Sequence, residues 1–227
     1  MERKIKYISL YLTVFLFTIL SILGCQGERK PVRPSPIDIS NYQFIEKLNL
    51  SFRASVSDFR VEIENDNYLF KPQSTNNIIL NGTPLELKQF YFMHPSAHTL
   101  NEKVYDGEIH LVHQSENGRL YNIAILIDRE ARNSTIHNFF HSANEPNIKN
   151  QLTQLDVYKT ILPSDRSYYQ YFGSLTIPPY NEPVYWMVMK HPIGITESQL
   201  YKLINLIPRY TRKTQDRQGR KITYVYQ

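Results

Sequence analysis

Four of the seven histidines fall in one stretch, Lys88 to Gln114, which reads KQFYFMHPSAHTLNEKVYDGEIHLVHQ. His94, His98, His110 and His113 stand there with a carboxylate, Glu108, a phenol, Tyr91, and a thioether, Met93. Imidazole, carboxylate and thioether are metal-binding groups, and imidazole, carboxylate and phenol can also pass protons. What such a set can do depends on which side chains share a face.

Two apolar alternations, Gln89–Met93 and Glu108–Val112, flank a polar link containing Pro, Ser, Asn and Gly. That pattern predicts two antiparallel strands joined by a loop. Side chains two apart share a strand face, so Gln89, Tyr91 and Met93 point one way and Glu108, His110 and Val112 line one face of the partner strand.

The stretch resembles the zinc-binding strands of the α-type carbonic anhydrases, which read roughly Gln-Phe-His-Phe-His, then Ser-Glu-His-Thr, then Glu-Leu-His-Leu-Val-His. Gln89, Phe90, Phe92, Ser96, His98, Thr99, Glu108, His110, Leu111, Val112 and His113 match that frame. Tyr91 and Met93 stand where the family has its first two zinc-binding histidines, and the third ligand survives as His110. Catalytic zinc takes three protein ligands plus a water whose pKa it lowers to about 7. The resemblance therefore implies the fold, while the departures imply that no metal centre and no cofactor is to be expected.

Further motifs extend the likeness over most of the chain. Ser35-Pro36-Ile37-Asp38-Ile39 resembles an early family motif, and Leu162–Tyr169 followed by Gly173-Ser174-Leu175-Thr176-Ile177-Pro178-Pro179 resembles a late one. Glu182, Trp186, the Met187–Ile193 strand, a helix over Thr196–Ile207 and a basic tail from Arg209 to Lys221 continue it. In the family a threonine, here Thr176, is held by a glutamate placed just before the position of His98. That place is Ala97, and the family's second threonine is Ile177. Asp66 falls nearest the proton-relay histidine. The N-terminal flap is expected to be missing, leaving an open cleft over Tyr91, Met93 and His110. Gln89 and Glu108 correspond to groups that orient ligand histidines. The residues left behind read best as a buried polar network of Glu108, His98, His110 and His113, since a buried carboxylate needs partners.

Two other metal readings remain. His94, His98 and His110 could supply a substitute zinc site, although His94 has the strand parity of Phe92. Tyr91, Met93 and His110 could suit a softer metal such as copper. His137, His141 and His191 show no ligand spacing.

The 227-residue chain is 41% hydrophobic and 13% aromatic, with 17 tyrosines, a globular and β-leaning composition. Its formal charge of +5 is too mild to argue for nucleic acid. No Gly-rich phosphate loop, serine nucleophile elbow or paired-cysteine motif is present. The basic run Arg209, Arg212, Lys213, Arg217, Arg220 and Lys221 could engage a polyanion, though such a run is more often a solvated face. Beyond the strands named above, alternations at Leu50–Ala54 and Phe59–Ile63 and the run Gly118–Asp128 predict strands, Asn81-Gly82 a hairpin turn, and Ile148–Leu155 a short helix.

At the N-terminus, an apolar run, Ile8–Leu23, follows basic residues and is short for a membrane span of about 20 residues. Ile22-Leu23-Gly24-Cys25 resembles a bacterial lipobox, which implies cleavage after residue 24 and lipidation of Cys25. An uncleaved anchor is the other reading. The expected organisation is a lipoprotein signal peptide over 1–24, a tether over 25–34 and one carbonic-anhydrase-like domain over 35–227. That domain is expected to be mainly β, a large twisted and mostly antiparallel sheet with a few short peripheral helices. The expected function is that of an exported, lipid-anchored and catalytically inactive module at the cell envelope, on the outer membrane or cell surface, acting on an unknown ligand or protein partner. The alternative is a carbonic anhydrase with a displaced or altered metal site.

Overall fold

The computed structural model describes residues 32–53, 56–64, 67–131, 151–206 and 211–226. The segment expected to be a signal peptide, Cys25, Asp66, His137, His141 and Arg209 lie outside the described residues. The strands are β1 (Asp38–Ile39), β2 (Phe44–Lys47), β3 (Leu50–Arg53), β4 (Ser57–Glu64), β5 (Asn67–Pro72), β6 (Asn77–Leu80), β7 (Thr83–Met93), β8 (Thr99–Leu100), β9 (Gly107–Ser115), β10 (Leu120–Asp128), β11 (Gln151–Leu155), β12 (Tyr168–Gly173), β13 (Val184–Met189), β14 (Ile193–Gly194) and β15 (Thr223–Tyr226). Two short helices accompany them, α1 (Val157–Ile161) and α2 (Glu197–Leu206).

One large sheet runs β11-β4-β5-β7-β9-β10-β13-β12-β15-β2, with β6 joining β3 to β7 and β14 pairing with β10. Most neighbours are antiparallel; β10–β13, β10–β14 and β15–β2 are parallel, as is the separate pair β1–β8. The expected architecture is the observed one. The Asn81-Gly82 turn also forms, with φ of 47° and 82°, the left-handed conformation that a two-residue hairpin needs and that Asn and Gly tolerate.

The central strands are buried on both faces, and alternation sorts their side chains. Phe90 and Phe92 of β7, Ile109 and Leu111 of β9, and Ile123, Ile125 and Ile127 of β10 join the main core on one face. Tyr91, Met93 and Val112 face the other way with Leu69, Ala97 and Ile177. Trp186, Val188, Ala124 and Tyr171 continue that second face beside Ile37 and Ile39.

Two elements depart from expectation: the strand expected over Met187–Ile193 is split between the end of β13 at Met189 and β14 at Ile193–Gly194, and a helix gives way to a strand. The segment up to Leu155 was expected to hold a helix over Ile148–Leu155, but Gln151–Leu155 is the strand β11, paired antiparallel with β4. The open edge of β4 offers backbone partners that a marginal eight-residue helix cannot match. The helix starts one step later, where Asp156 caps α1 by accepting from the Lys159 amide at 3.0 Å. The second helix begins on a reciprocal cap: the Thr196 hydroxyl accepts from the Gln199 amide and the Gln199 side chain accepts from the Thr196 amide.

The chain ends of this domain are laced together. Arg212 donates to the Ser35 carbonyl, Arg217 to that of Ser40 and Arg220 to that of Pro34, so three arginines of the basic run are anchored on the segment entering the fold. Gly173 lies against the Ser35 hydroxyl so closely that any side chain would collide with it.

Candidate functional site

Register decides the site. Through β7 and β9, Leu87 faces His113, but Gln89 faces Val112, so the pairing slips by one residue at Lys88. Below this bulge Tyr91 stands opposite His110 and Met93 opposite Glu108. Without it Tyr91 would face Ile109 and its phenol would have no imidazole to meet. The apolar pattern carries the signal, since it moves from odd positions (Leu85, Leu87) to even ones (Phe90, Phe92) at that point.

Tyr91, His110 and Thr176 are fully buried, and Met93 is 1% exposed. The open cleft expected over Tyr91, Met93 and His110 is not found, since these side chains are buried and Tyr91 and Met93 pack with Leu69, Val112 and Ile177. The Tyr91 hydroxyl lies 3.0 Å from His110 Nδ1. The Thr176 hydroxyl is 3.3 Å from the same nitrogen, 3.5 Å from the phenol oxygen and 3.8 Å from Met93 Sδ.

Behind His110 stands Glu108, fully buried. Its Oε1 accepts from His110 Nε2 at 2.7 Å and from His98 Nδ1 at 2.6 Å. Its Oε2 accepts from the Ala97 and His98 amides, both at 2.7 Å. His98 Nε2 shares a 2.6 Å hydrogen bond with the Tyr171 hydroxyl, which donates to Ser35 Oγ at 3.0 Å. The chain Tyr91–His110–Glu108–His98–Tyr171–Ser35 is thus a continuous hydrogen-bonded line through the interior. Trp186 packs its ring 5.0 Å from His110 and 4.8 Å from His98, and its Nε1 donates to the Ser174 carbonyl.

Burial opposes ionisation of Glu108, but the two histidines beside it outweigh burial and hold its carboxyl well below the usual carboxylate range. Burial lowers the pKa of His110 despite the facing carboxylate, so its neutral form is favoured. Burial likewise pushes the Tyr91 phenol far up, keeping it protonated. With Nε2–H directed at Glu108, neutral His110 presents a lone pair at Nδ1, and the Tyr91 hydroxyl donates to it.

The remaining expected residues fall in different places. His113 does not share this network: it lies on the opposite face, its Nδ1 donating to the Leu111 carbonyl at 3.0 Å and its Nε2 accepting from the Tyr158 hydroxyl at 2.9 Å. Burial drives its pKa down to about 3. Strand alternation accounts for the separation, since residue 113 has the parity of 109 and 111. Gln89 is half-buried opposite Val112. His94 turns to the Asp106 carbonyl, and His191 pairs with Asp165. Sequence reasoning did not single out Asn122. It is fully buried and stands opposite Val112 and Trp186, with neither end of its amide hydrogen-bonded among the described residues. Its place amid the apolar run of β10 was the available signal.

Chemically the arrangement offers one group of metal-ligating atoms among the described residues, on His98, Glu108 and His110, all within 4.8 Å of one another. Each of these atoms already takes part in the line of hydrogen bonds.

A family model described as eukaryotic-type carbonic anhydrase matches residues 23–226. The chain is 34% identical over 134 residues to a carbonic anhydrase of Klebsiella pneumoniae, covering 58% of this chain and 54% of that one. It is 29% identical over 203 residues to carbonic anhydrase 1 of Mus musculus, covering 76% and 77%. The first of these alignments spans only about half the length of the curated relative. Among solved structures, the α-carbonic anhydrase of Photobacterium profundum superposes with a TM-score of 0.74 at 29% identity, covering 85% of this chain and 89% of that one. The Thermovibrio ammonificans enzyme, solved with the inhibitor sulfanilamide, gives 0.73 at 31% identity, covering 84% and 86%.

Proposed function

Because the chain belongs to the eukaryotic-type carbonic anhydrase family, we propose that it keeps the family's scaffold and serves as a non-catalytic binding or structural module. The observation that carries this reading is the Tyr91 hydroxyl bonded to His110 Nδ1, with Met93 Sδ beside it. The inward positions of β7 and β9 hold one imidazole, one protonated phenol and one thioether. That donor set does not fit a catalytic zinc, which takes three ligands from imidazole, carboxylate or thiolate and leaves a fourth place for water. Thr176 also lacks a carboxylate to orient it, since residue 97 is alanine, and Glu108 is taken by two histidines and two amides.

The module is exported and tethered to a bacterial membrane through lipid on Cys25, on the reading of the lipobox-like Leu23-Gly24-Cys25. Among the described residues no helix is long and apolar enough to cross a membrane.

One observation favours a second reading, a carbonic anhydrase with an altered metal site. His98, Glu108 and His110 bring three ligating atoms together. Filling that site would break the short hydrogen bonds that satisfy Glu108. Metal analysis and carbon dioxide hydration measured on the same purified protein separate the two. The first reading expects substoichiometric zinc and no hydration above the buffer rate. Stoichiometric zinc together with hydration that a His110→Ala variant abolishes would establish the second.

A further inference from the structure

We infer that Arg166 and Tyr168, at the head of β12, form a binding site for a small carboxylate, with the guanidinium as its counter-ion and the phenol as a second donor. Tyr168 belongs to the main core, on the other face of the sheet from Tyr91 and Met93, so the site stands under either reading of the His110 centre.

Strand alternation puts the two side chains together. The Lys190 amide donates to the Ser167 carbonyl at 3.0 Å, one step beyond the Tyr168–Met189 pair, so the β12–β13 ladder continues past the start of β12. Residues two apart along it share a face, which sets Arg166 on the side of Tyr168. Both meet the main core. The Arg166 guanidinium lies 5.0 Å from the centroid of the Phe52 ring, and Phe52 packs against the cluster that contains Tyr168. Tyr168 is fully buried and Arg166 half-buried.

The protein gives these two groups no partner. Arg166 Nη1 and the Tyr168 hydroxyl are both closed to solvent, and neither is hydrogen-bonded among the described residues. The nearby carboxylates are engaged elsewhere. Asp165 pairs with His191 at 3.0 Å and accepts from the Ser167 amide at 2.8 Å. Glu46, whose charge acts on Tyr168, accepts from Gln170 Nε2 at 3.3 Å. Burial lowers the pKa of Arg166 with no neighbouring charge among the described residues to offset it. Burial pushes the Tyr168 phenol far up, so it stays a donor. A desolvated charge without a counter-ion is costly, and folded proteins leave few buried donors unpaired.

Two donors and one positive charge define the occupant. It has to accept hydrogen bonds and carry negative charge, which excludes cations and neutral sugars. Water accepts from either donor but leaves the guanidinium unbalanced. A single guanidinium neutralises one negative charge, so a monoanion fits, whereas a phosphate dianion would leave surplus charge beside Phe52 and the core. The planar guanidinium matches the two oxygens of a carboxylate. Because the two orphan atoms are closed to solvent, the occupant is small.

The test uses the full-length protein in detergent micelles at pH 8, unfolded by urea across a series of acetate concentrations, with chloride at equal ionic strength as the control. The midpoint should rise with acetate and not with chloride, since a ligand that binds only the folded state stabilises it. Arg166→Gln should abolish the acetate-dependent shift, while its midpoint in chloride equals or exceeds that of the parent because a lone buried charge has gone. Tyr168→Phe should also fold without loss in chloride and weaken acetate binding by about tenfold, as loss of one hydrogen bond to a charged group does. Inorganic phosphate, mostly a dianion at this pH, tests the charge argument: the part of its shift that Arg166→Gln removes should be smaller than for acetate. Absence of an acetate-dependent shift, or a shift that either substitution leaves unaltered, overturns the site. So does a midpoint of Arg166→Gln in chloride well below that of the parent, which would mean that the guanidinium has a partner within the protein. An equal or larger Arg166-dependent shift with phosphate overturns the carboxylate assignment.

Discussion

The Tyr91 phenol donates to Nδ1 of His110 across 3.0 Å, at the nitrogen that Glu108 leaves free. The imidazole is thereby satisfied at both ends inside the protein. Tyr91→Phe removes this donor and leaves a buried lone pair with only the Thr176 hydroxyl in reach. Stability should fall by about 1–2 kcal/mol, read from urea unfolding. An unchanged midpoint would mean that Thr176 alone suffices for His110.

Replacing both Tyr91 and Met93 by histidine should create a zinc site, because the register that sets Tyr91 opposite His110 and Met93 opposite Glu108 already aims both positions at one point. Stoichiometric zinc after dialysis is the expected result, with hydration still slow because Ala97 cannot orient Thr176. Failure of a folded double variant to take up zinc would contradict the β7–β9 register.

Asn122 buries an amide that makes no hydrogen bond among the described residues. Desolvating such a group costs about 1–3 kcal/mol. Asn122→Val should consequently raise the unfolding free energy. A loss greater than about 1 kcal/mol would show that the amide has a partner essential to the fold.

Acid should weaken the domain through His113. Burial depresses its folded pKa to about 3, from an ordinary imidazole value of about 6.5. Between those values the unfolded chain binds a proton that the native state refuses, so stability is present above about pH 6.5 and falls as pH drops toward 3. The slope from this one group approaches 1.4 kcal/mol per pH unit. Glu108, with its pKa also lowered, adds to the loss below the ordinary carboxylate range. Urea unfolding at pH 7 and pH 5 should show the difference, and His113→Gln, which keeps an amide near Tyr158, should flatten it. An equal pH slope in the variant would assign the effect elsewhere.

Much of this was legible beforehand. The alternation in Gln89–Met93 and Glu108–Val112 encodes which side chains share a face, and the observed pairing keeps those faces. The bulge at Lys88 was encoded too, in the shift of apolar positions from Leu87 to Phe90, but a local pattern does not say which partner residue a strand meets. His113 illustrates the limit. Its imidazole looks like a companion of His110, yet three residues along a strand reverses the face, and Tyr158, far along the chain, became its partner. The helix expected near Leu155 failed for the same kind of reason, because the free edge of β4 lies outside any local window.

By itself the sequence determined the chemical inventory: one imidazole, a phenol and a thioether at the inward positions, and the periodicities that put them on one side of two strands. Only the tertiary structure decided that the phenol would close onto the imidazole, that the Thr176 hydroxyl would come within 3.3 Å of the same nitrogen, and that the Ala97 and His98 amides would fill the second oxygen of Glu108. Side-chain identity and strand parity are properties of neighbours along the chain. Hydrogen-bond partners and burial come from segments that meet only when the sheet closes around them.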